Sequence, residues 1–340
     1  VGRGTTIDHI EIVSCADDNI EIFGGTVNLK YVTTLFGNDD MFDYDLGWKG
    51  KAQFFFGMKN TATGTSPDND NGIEADSDDN ASNVALRSHP VMYNFTILGN
   101  AKAAPTADNR GLAGANFKDG AEGELYNSIF ANFKNGINLA KSLSGTPART
   151  YNAWHNHNWR NIGTTESPNT NTAAVANSLV IKCNTILMNS ATTNSNGLGI
   201  DASSSTANAT AATTVTGGEL EQFTNDGNVV TTNAIPGFSY AFTVDATTNA
   251  VTVKNDVTPN PALSVTGCPT PPVDGFFEPA NYRGAFSSVN GENWLSNWTY
   301  SQVLNATTGV QACATDLNLD GVTDVNDFLI FAPAFGTSCN

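Results

Sequence analysis

A twelve-residue stretch near the C-terminus, "DLNLDGVTDVND", carries the side chains best suited to binding a metal ion. Oxygen-bearing residues occupy its first, third, fifth, ninth and twelfth positions, which are Asp316, Asn318, Asp320, Asp324 and Asp327. Gly321 at the sixth position permits a sharp turn, and Val322 at the seventh can offer its backbone carbonyl. This order predicts a Ca²⁺ site built from the five side chains and the Val322 carbonyl.

The residues around this loop predict a small, clamped segment. Phe328, Phe331 and Phe335 follow the loop at helical spacing and would share one apolar face. Cys313 and Cys339 bracket the loop and the helix. A disulfide between them would stabilise a segment too small to fold alone, so we expect them to be joined.

Three further cysteines lie in other parts of the chain. Cys15 and Cys183 fall in apolar, strand-like runs, and we expect both to be buried free thiols. Cys268 lies in the Pro-rich stretch "CPTPPVDG", and its state stays open. An odd total of five cysteines leaves at least one thiol unpaired within the chain.

Paired carboxylates near the N-terminus are the candidates for acid–base chemistry. They are Asp17, Asp18, Asp39, Asp40, Asp43 and Asp45. Acids on successive coils of a β-helix could cleave a polysaccharide, whereas the alternative is a stack of turn residues that could also bind a cation. Apart from Lys49 and Lys51, no basic residues accompany them to bind an anionic sugar. The sequence therefore favours the turn interpretation and assigns no catalytic residue.

Two aromatic-rich stretches offer weaker candidates. His155 and His157 in "WHNHNWR" could form a metal pair, but a polar surface loop is the favoured interpretation. Trp294, Trp298 and Tyr300 could stack on sugars, but packing of the tail against the last coil is favoured.

The composition indicates a secreted all-β protein with many turns. Thirty-three acidic residues against 16 basic ones give a net charge of −17, which repels nucleic acid and anionic membranes. Only 14% of the residues are charged, while Asn, Thr, Ala, Gly and Ser abound. No apolar run is long enough to span a membrane. The chain opens at Val1, which predicts a processed or truncated product of a longer precursor.

Short β-rich runs recur along the chain and predict a solenoid. "TIDHIEI" and "TVNLKYV" begin at Thr6 and Thr26, and "DDNIEIFGG" and "DDMFDYDLG" begin 22 residues apart. The pattern returns as "MYNFTI" from Met92, "LYNSIF" from Leu125 and "IKCNTI" from Ile181. Runs that end in Gly, Asn or Asp at such intervals are typical of the stacked coils of a parallel β-helix.

Breaks in this pattern divide the chain into three predicted parts. Residues 1–267 would form the β-helix, with long loop insertions near 59–83 and 164–216. Residues 268–312 would form a Pro- and aromatic-rich tail that packs on the solenoid, and residues 313–340 would form the calcium-binding segment.

Both ends of the chain resemble a known group of proteins. Residues 1–54, "VGRGTT" to "KGKAQF", are similar to a stretch of large, mostly uncharacterised secreted β-helix proteins of Bacteroidetes-like bacteria. The tail "NYRGAF…ENWLSNWT" resembles their closing segment, and the calcium loop resembles a single dockerin-like repeat. The resemblance implies an all-β fold, a right-handed parallel β-helix with a small C-terminal calcium-binding loop-helix, and a secreted or cell-surface location.

The resemblance implies a fold and a location but no activity. The resemblance implies further coils upstream in the relatives, so we expect this chain to begin inside a coil at Val1–Gly4. An uncapped coil exposes unpaired backbone groups, and a head-to-tail contact that does not close gives a filament. A complete dockerin has two repeats, so the single repeat here disfavours cohesin binding.

Two functions stay open at this point. The favoured one is a structural or adhesive protein of the cell surface, whose partner is a second copy of itself or another surface protein. The alternative is a secreted polysaccharide-degrading or carbohydrate-binding protein. If the chain is an enzyme, it would be a polysaccharide lyase or a glycoside hydrolase.

Overall fold

A computed structural model gives the fold of the protein. It describes residues 2–59, 71–77, 86–99, 113–118, 121–133, 135–139, 179–188, 198–201, 209–211, 223–244, 251–287, 293–296 and 298–303. The chain divides into two compact units. The first comprises residues 1–234 and 263–285, and the second comprises residues 235–262 and 286–340.

The described part of the first unit consists mainly of short β-strands. Its strands are β1 (Thr6–Val13), β2 (Glu21–Phe23), β3 (Asn28–Leu35), β4 (Phe42–Asp45), β5 (Lys51–Met58), β6 (Ile73–Ala75), β7 (Val91–Leu98), β8 (Ala113–Phe117), β9 (Gly123–Tyr126), β10 (Ile129–Ala131), β11 (Asn135–Leu139), β12 (Leu179–Lys182), β13 (Thr185–Leu187), β14 (Leu198–Asp201), β15 (Ala209–Ala211) and β16 (Val229–Thr231).

These strands form two sheets, and from β1 to β8 successive strands alternate between the two sheets. Sheet A has the order β1-β3-β5-β7-β10-β13-β16, with β9 paired to β7 and β12. Sheet B has the order β2-β4-β6-β8-β11-β14-β15. All the strand pairs of both sheets are parallel except β14 with β15. The predicted parallel β-helix is confirmed.

The register confirms the repeat seen in the sequence and corrects one of its alignments. Glu21 pairs with Asp43, which matches the 22-residue spacing of the two acidic runs. Thr6 pairs with Asn28 and not with Thr26, because β1 and β3 follow the same 22-residue coil. The three later runs are also stacked in register, since Leu125 pairs with both Met92 and Ile181.

Strand β6 of sheet B lies inside the stretch 59–83, where the sequence predicts a loop insertion. It has only three residues, which are too few to show an alternating pattern of apolar and polar side chains. Ile73 nevertheless pairs with Phe42 on one side and with Ala115 on the other. Strands this short are recognised through their pairing partners rather than through their own sequence.

One residue in each coil of sheet A has a left-handed backbone conformation. These residues are His9, Tyr31, Phe54, Asn94, Asn127 and Cys183, with φ between 50° and 60°. They form a column, because the residues on either side of Tyr31 and Phe54 pair in register while these two do not. Such a conformation is costly for residues other than Gly, Asn and Asp, so the stacking of the coils imposes it.

The apolar core lies between the two sheets. Leu29 and Val32 of β3 join one buried cluster with Phe42 and Tyr44 of β4. Trp48 is fully buried in the same cluster, and its indole N–H donates to the carbonyl of Val27 at 3.0 Å. Each coil is too small to bury its own apolar side chains, so stacking on its neighbours is what stabilises it.

Buried amides satisfy backbone groups where the later coils turn. Ser128 N–H donates to the side-chain oxygen of Asn184 at 2.9 Å, and Asn184 N–H donates to that of Asn228 at 3.0 Å. The Asn228 amide donates in turn to the carbonyl of Ile181 at 2.8 Å. This ladder fixes the register of successive coils, because a shift by one residue would leave buried polar groups unpaired.

Residues 263–285, here called the strap, cross the outer face of sheet A. Gln53 and Glu278 exchange two hydrogen bonds of 2.7 and 2.9 Å between the Gln53 amide and the Glu278 backbone. The side-chain amide of Asn94 donates to the carbonyl of Tyr282, and that of Asn127 donates to the carbonyl of Pro269. The strap therefore covers much of this face with bonds to at least three coils.

A disulfide joins the strap to the column of left-handed residues. Cys183 is bonded to Cys268, 85 residues away in the sequence. The prediction that Cys183 is a buried free thiol is therefore wrong. Cys183 is buried, but its sulfur is bonded to Cys268 of the strap. The local sequence does not reveal the path of the strap. Cys15 is a half-buried free thiol within the described part of the chain. Cys313 and Cys339 lie outside the described residues.

The described part of the second unit contains a β-hairpin and an aromatic stack. Strands β17 (Phe238–Val244) and β18 (Val251–Val257) are antiparallel, and α1 (Tyr300–Val303) is a single helical turn. Trp294 stacks on Phe286 at 5.5 Å between ring centroids, and Trp298 follows at 6.5 Å from Trp294. Among the described residues, no helix has the length and apolar character needed to cross a membrane.

Candidate active site

The outer face of sheet B carries a column of acidic and amide side chains. Pairing in register places Glu21 beside Asp43 and Asp43 beside Glu74. The same column continues through Asn116 to Asn138. Side chains alternate between the two faces of a strand, so one sequence position per coil builds a continuous outward row. Here that row changes from carboxylates to amides along the solenoid.

Turn residues just before the strands of sheet B bring further carboxylates to this row. The backbone N–H of Asp40 donates to Asp18 Oδ1 at 2.9 Å, and that of Asn71 donates to Asp40 Oδ1. The N–H of Ala113 donates to Asn71 Oδ1 at 3.3 Å, which extends the pattern to a third turn. Side chains that bond the backbone of the next coil are fixed in place, so Asp18 is held at the end of the acidic row.

Two groups of three carboxylates meet at this end. Oxygen atoms of Asp18, Glu21 and Asp43 all lie within 4.8 Å of one another, and so do those of Asp17, Asp18 and Asp39. Asp18 is the shared member. Asp43 is only 8% exposed, and its Oδ1 accepts no hydrogen bond within the described part of the protein. A buried acceptor of this kind is uncommon and marks a place where a proton, a cation or a ligand group is needed.

The carboxyls of this cluster have raised pKa values. Loss of solvation and the charges of Glu74 and Asp18 raise the pKa of Asp43 to about 9. Burial and the charge of Asp39 raise the pKa of Asp18 to about 7, although the hydrogen bond from the Asp40 N–H opposes this rise. Burial and the charges of Asp17 and Glu74 also raise the pKa of the more exposed Glu21. Near neutral pH the cluster therefore holds protons as well as charge.

The Lys118 ammonium group lies beside Glu74, the carboxylate that follows Asp43 in the row. It is 2.7 Å from Glu74 Oε2 and 3.4 Å from Asp76 Oδ2. Burial raises the pKa of Asp76 to about 6, although the charge of Lys118 opposes this rise. Lys118 therefore already forms ion pairs with two carboxylates, and the net charge of the face stays negative.

The structure brings together the acidic residues that the sequence singled out. Asp17, Asp18, Asp39, Asp40 and Asp43 lie in or beside the cluster. Asp45 pairs with Phe23, two register positions beyond the pair of Asp43 and Glu21. The interpretation of these residues as turn residues stacked in register is right for Asp18 and Asp40.

Sequence reasoning missed the contribution of Glu21, Glu74, Asp76 and Lys118. Glu21 follows Asp17 by four residues, and its pairing with Asp43 could have been read from the 22-residue repeat. Glu74 carries no such signal, because 31 residues separate it from Asp43 and interrupt the repeat.

The structure assigns none of the remaining predicted candidates to this cluster. The calcium loop with Asp316, Asn318, Asp320, Val322, Asp324 and Asp327 lies outside the described residues, as do His155 and His157. Trp294, Trp298 and Tyr300 belong to the second unit, where Trp294 and Trp298 form the aromatic stack.

A comparison with protein families agrees with the fold. Residues 1–214 match the family described as "Pectate-lyase like beta helix domain". The chain belongs to this family. The matched residues include every strand of sheets A and B except β16, and they contain the whole acidic cluster. No curated protein and no solved structure is significantly similar to the chain.

Proposed function

We propose that the protein is an extracellular β-helix protein that binds a polysaccharide on the outer face of sheet B and hydrolyses its glycosidic bonds there. The observation that carries this proposal is the cluster of Asp18, Glu21 and Asp43, whose oxygens lie within 4.8 Å of one another. Carboxyls whose pKa values are pushed apart by their surroundings are the usual means of placing an acid and a base at one glycosidic bond.

The roles follow from burial and pKa. Asp18, with a pKa of about 7, holds a proton in weakly acidic medium and would donate it to the glycosidic oxygen as the C–O bond breaks. Glu21 is the exposed carboxylate beside it and would attack the anomeric carbon. Water then cleaves the resulting ester while Asp18 takes back a proton. Asp43 is too buried to reach a sugar, and its proton lets three carboxyls share one small site.

The spacing of the carboxyls favours retention of the anomeric configuration. Retaining enzymes place their two carboxyl groups about 5–5.5 Å apart, whereas inverting enzymes leave about 6.5–9.5 Å for a water molecule. Oxygens of Asp18 and Glu21 lie within 4.8 Å of each other, which is too close for the inverting arrangement and favours the retaining one.

The test is hydrolysis of a panel of polysaccharides with Asp18→Asn and Glu21→Gln as the decisive variants. We expect the wild type to release new reducing ends, each variant to lose at least about a hundredfold in kcat, and Asp8→Asn on sheet A to leave the rate unchanged. Addition of a chelator should not abolish the reaction, and the products should lack the double bond that a lyase forms. Release of unsaturated ends that depends on a divalent cation would replace hydrolysis by elimination. Binding without any cleavage would refute the catalytic part of the proposal.

A second candidate is the structural or adhesive role, which a different observation favours. β1 and β2 are the outermost strands of sheets A and B within the described residues. Ile7 of β1, Ile22 of β2 and Ile20 just before β2 are only partly buried against the core. Another coil stacked on this end would bury these side chains and pair the strand edges, and a second copy of the chain could supply it. This proposal includes the secreted location and the calcium loop expected from the sequence.

A further inference from the structure

One exposed aromatic side chain shares the acidic face of sheet B. Phe23 is 61% exposed, whereas most of the phenylalanines in the described strands are buried in the core. It follows Glu21 by two positions in β2, so its ring and the Glu21 carboxylate leave the strand on the same side. Ile22 between them turns towards the core cluster. The ring therefore lies directly beside a carboxylate of the candidate active site.

Phe23 and Leu46 form a small exposed apolar patch at the edge of the acidic row. Phe23 pairs in register with Asp45, and the next residue, Leu46, is also exposed. Gly24 and Leu46 are in close backbone contact, since a side chain at Gly24 would meet the Leu46 carbonyl at 2.7 Å. A large exposed apolar group is costly in water, and one placed next to convergent polar groups is typical of a ligand site.

The charge of the face decides which sugars can bind it. Its carboxylates include Asp17, Asp18, Glu21, Asp39, Asp43, Asp45, Glu74 and Asp76. Against them, Lys118 is engaged by Glu74 and Asp76, and the buried Lys59 donates to the Asp39 carbonyl. A polyuronate brings one further negative charge per sugar and would be repelled along the carboxylate part of the row.

We infer that Phe23 is a stacking platform for one sugar ring and that the ligand of this face is a neutral polysaccharide whose sugars present a flat apolar face. This inference rests on the proposed function for its location and adds the substrate class. A ring that lies on Phe23 places the next glycosidic bond over Glu21 and Asp18. The amides of Asn116 and Asn138 continue the row, and the Asn138 side-chain oxygen accepts no hydrogen bond within the described residues. Sugar hydroxyls are the donors that such an acceptor lacks.

The experiment measures binding separately from cleavage. Glu21→Gln is titrated with soluble β-linked glucan, xylan and mannan, and in parallel with polygalacturonate and alginate, by affinity electrophoresis and calorimetry. We expect a neutral glycan to bind and the two polyuronates not to bind. In the Glu21→Gln background, Phe23→Ala should lower the affinity for the neutral glycan by about tenfold, which corresponds to the loss of one aromatic stacking contact. Phe23→Trp should restore or improve binding.

The controls separate this inference from the proposed hydrolysis. Val273→Ala removes an apolar side chain of the strap that is even more exposed than Phe23, and it should leave binding unchanged. Phe23→Ala must keep the wild-type melting temperature, since the ring is outside the core. Binding that depends on Phe23 without cleavage by the wild type would uphold the inference and refute the hydrolysis. Cleavage or binding of a polyuronate would overturn the substrate class and leave the hydrolysis standing. Equal affinity of Phe23→Ala and its parent would refute the platform.

Discussion

Asp43 shows how a single residue links the acidic face to the stability of the fold. Its folded pKa of about 9 lies far above the value of 3.8 that an Asp has in solution. Between these two values the folded protein binds more protons than the unfolded chain. The free energy of unfolding therefore falls as pH rises through this window.

Replacing this carboxyl by an amide should remove its share of that dependence and leave the shares of Asp18 and Asp76. We expect Asp43→Asn to gain about 1–3 kcal/mol over the wild type at about pH 8 and little at about pH 4, because the amide keeps the shape without a charge to bury. Urea unfolding at both pH values measures the difference, with Asp8→Asn as the control on sheet A. A pH slope that is as steep in Asp43→Asn as in the wild type would contradict the assignment.

His89 has a pH dependence of the same sign, because its pKa is also higher in the folded protein than in the unfolded chain. Its Nδ1 is 3.0 Å from Oε2 of the fully buried Glu122, and its Nε2 is 3.7 Å from Oε1 of Glu124. Burial alone would lower the pKa of His89, but bonds to both carboxylates raise it to about 9. Tyr126 also donates to Glu124 at 2.8 Å, which holds this carboxylate in place.

This cluster predicts a loss of stability at alkaline pH. His89 has a pKa near 6.5 in the unfolded chain, so its contribution is complete below that value and disappears as pH rises through about 9. The loss should be about 1–3 kcal/mol. Thermal unfolding of the wild type and His89→Gln at about pH 6 and about pH 9.5 tests it, with the exposed His9→Gln as the control. If His89→Gln loses as much stability on alkalinisation as the wild type, the histidine is not responsible.

At this scale the sequence predicted the site only where the coil repeat is regular. Asp17, Asp18, Asp39 and Asp40 stand out because two runs of the same type lie 22 residues apart. Glu74 reaches the same row only through the pairing of β6, and the proton on Asp43 depends on burial that no local pattern shows. The sequence shows which acidic residues are present. The distances between them and their protonation depend on how the strands pair.

Among the elements, the strap carries contacts that link distant parts of the chain. Lys30 forms an ion pair of 2.9 Å with Glu278, and Tyr31 donates to the other oxygen of Glu278 at 2.7 Å. Arg283 donates to the carbonyl of Asn184 at 2.9 Å and to that of Gly227 at 3.1 Å. These bonds fasten the strap near both ends of sheet A.

Removal of its disulfide should weaken this attachment without dissolving the solenoid. The bond closes a long loop, because 85 residues separate Cys183 from Cys268. We expect Cys268→Ser to cost about 2–5 kcal/mol and to make residues 263–285 sensitive to proteases. Thermal unfolding and limited proteolysis with mass mapping give the result, and Cys15→Ser serves as the control. Resistance of the strap equal to that of the wild type would show that its hydrogen bonds suffice.

The predicted calcium loop has its own test. Asp320 occupies the fifth position of the loop, where a carboxylate binds the ion directly. We expect Asp320→Ala to lower calcium affinity by at least about tenfold and to raise proteolysis within residues 313–340, as a chelator should in the wild type. Calorimetric titration with Ca²⁺ measures the affinity, and Asp256→Asn in β18 is the control. Unchanged calcium binding by Asp320→Ala would reject the site.

Strands were easier to predict than the strap. The runs from Met92, Leu125 and Ile181 share a length and an alternation, and the structure stacks them in register. The strap has no repeat and no periodicity, and its partners lie up to 248 residues away in the sequence. Its disulfide was missed for the same reason, because Cys183 sits in a strand-like run that looks like ordinary core.

For the whole molecule, the stacking of coils makes self-association a specific expectation. If a second copy covers β1 and β2, the assembly should grow head to tail and should weaken when the calcium loop is emptied. Static light scattering with and without a chelator measures the mass. A charged side chain at the outermost coil, as in Ile7→Lys, should reduce the assembly, whereas Val273→Lys on the strap should not. A monomer of constant mass in both media would refute self-association.

The path of the strap also sets the order in which the molecule can mature. Residues 263–285 are synthesised after β1–β16, yet they cover Tyr93 and the coils back to Lys30. Coils can stack one by one as the chain emerges, since each contacts mainly its neighbours, but sheet A stays bare until the last part of the strap arrives. Until then the outer face of sheet A is open to other nascent chains. Completion of the fold is therefore a late, long-range event, and yield during production should depend on how soon Cys268 reaches Cys183.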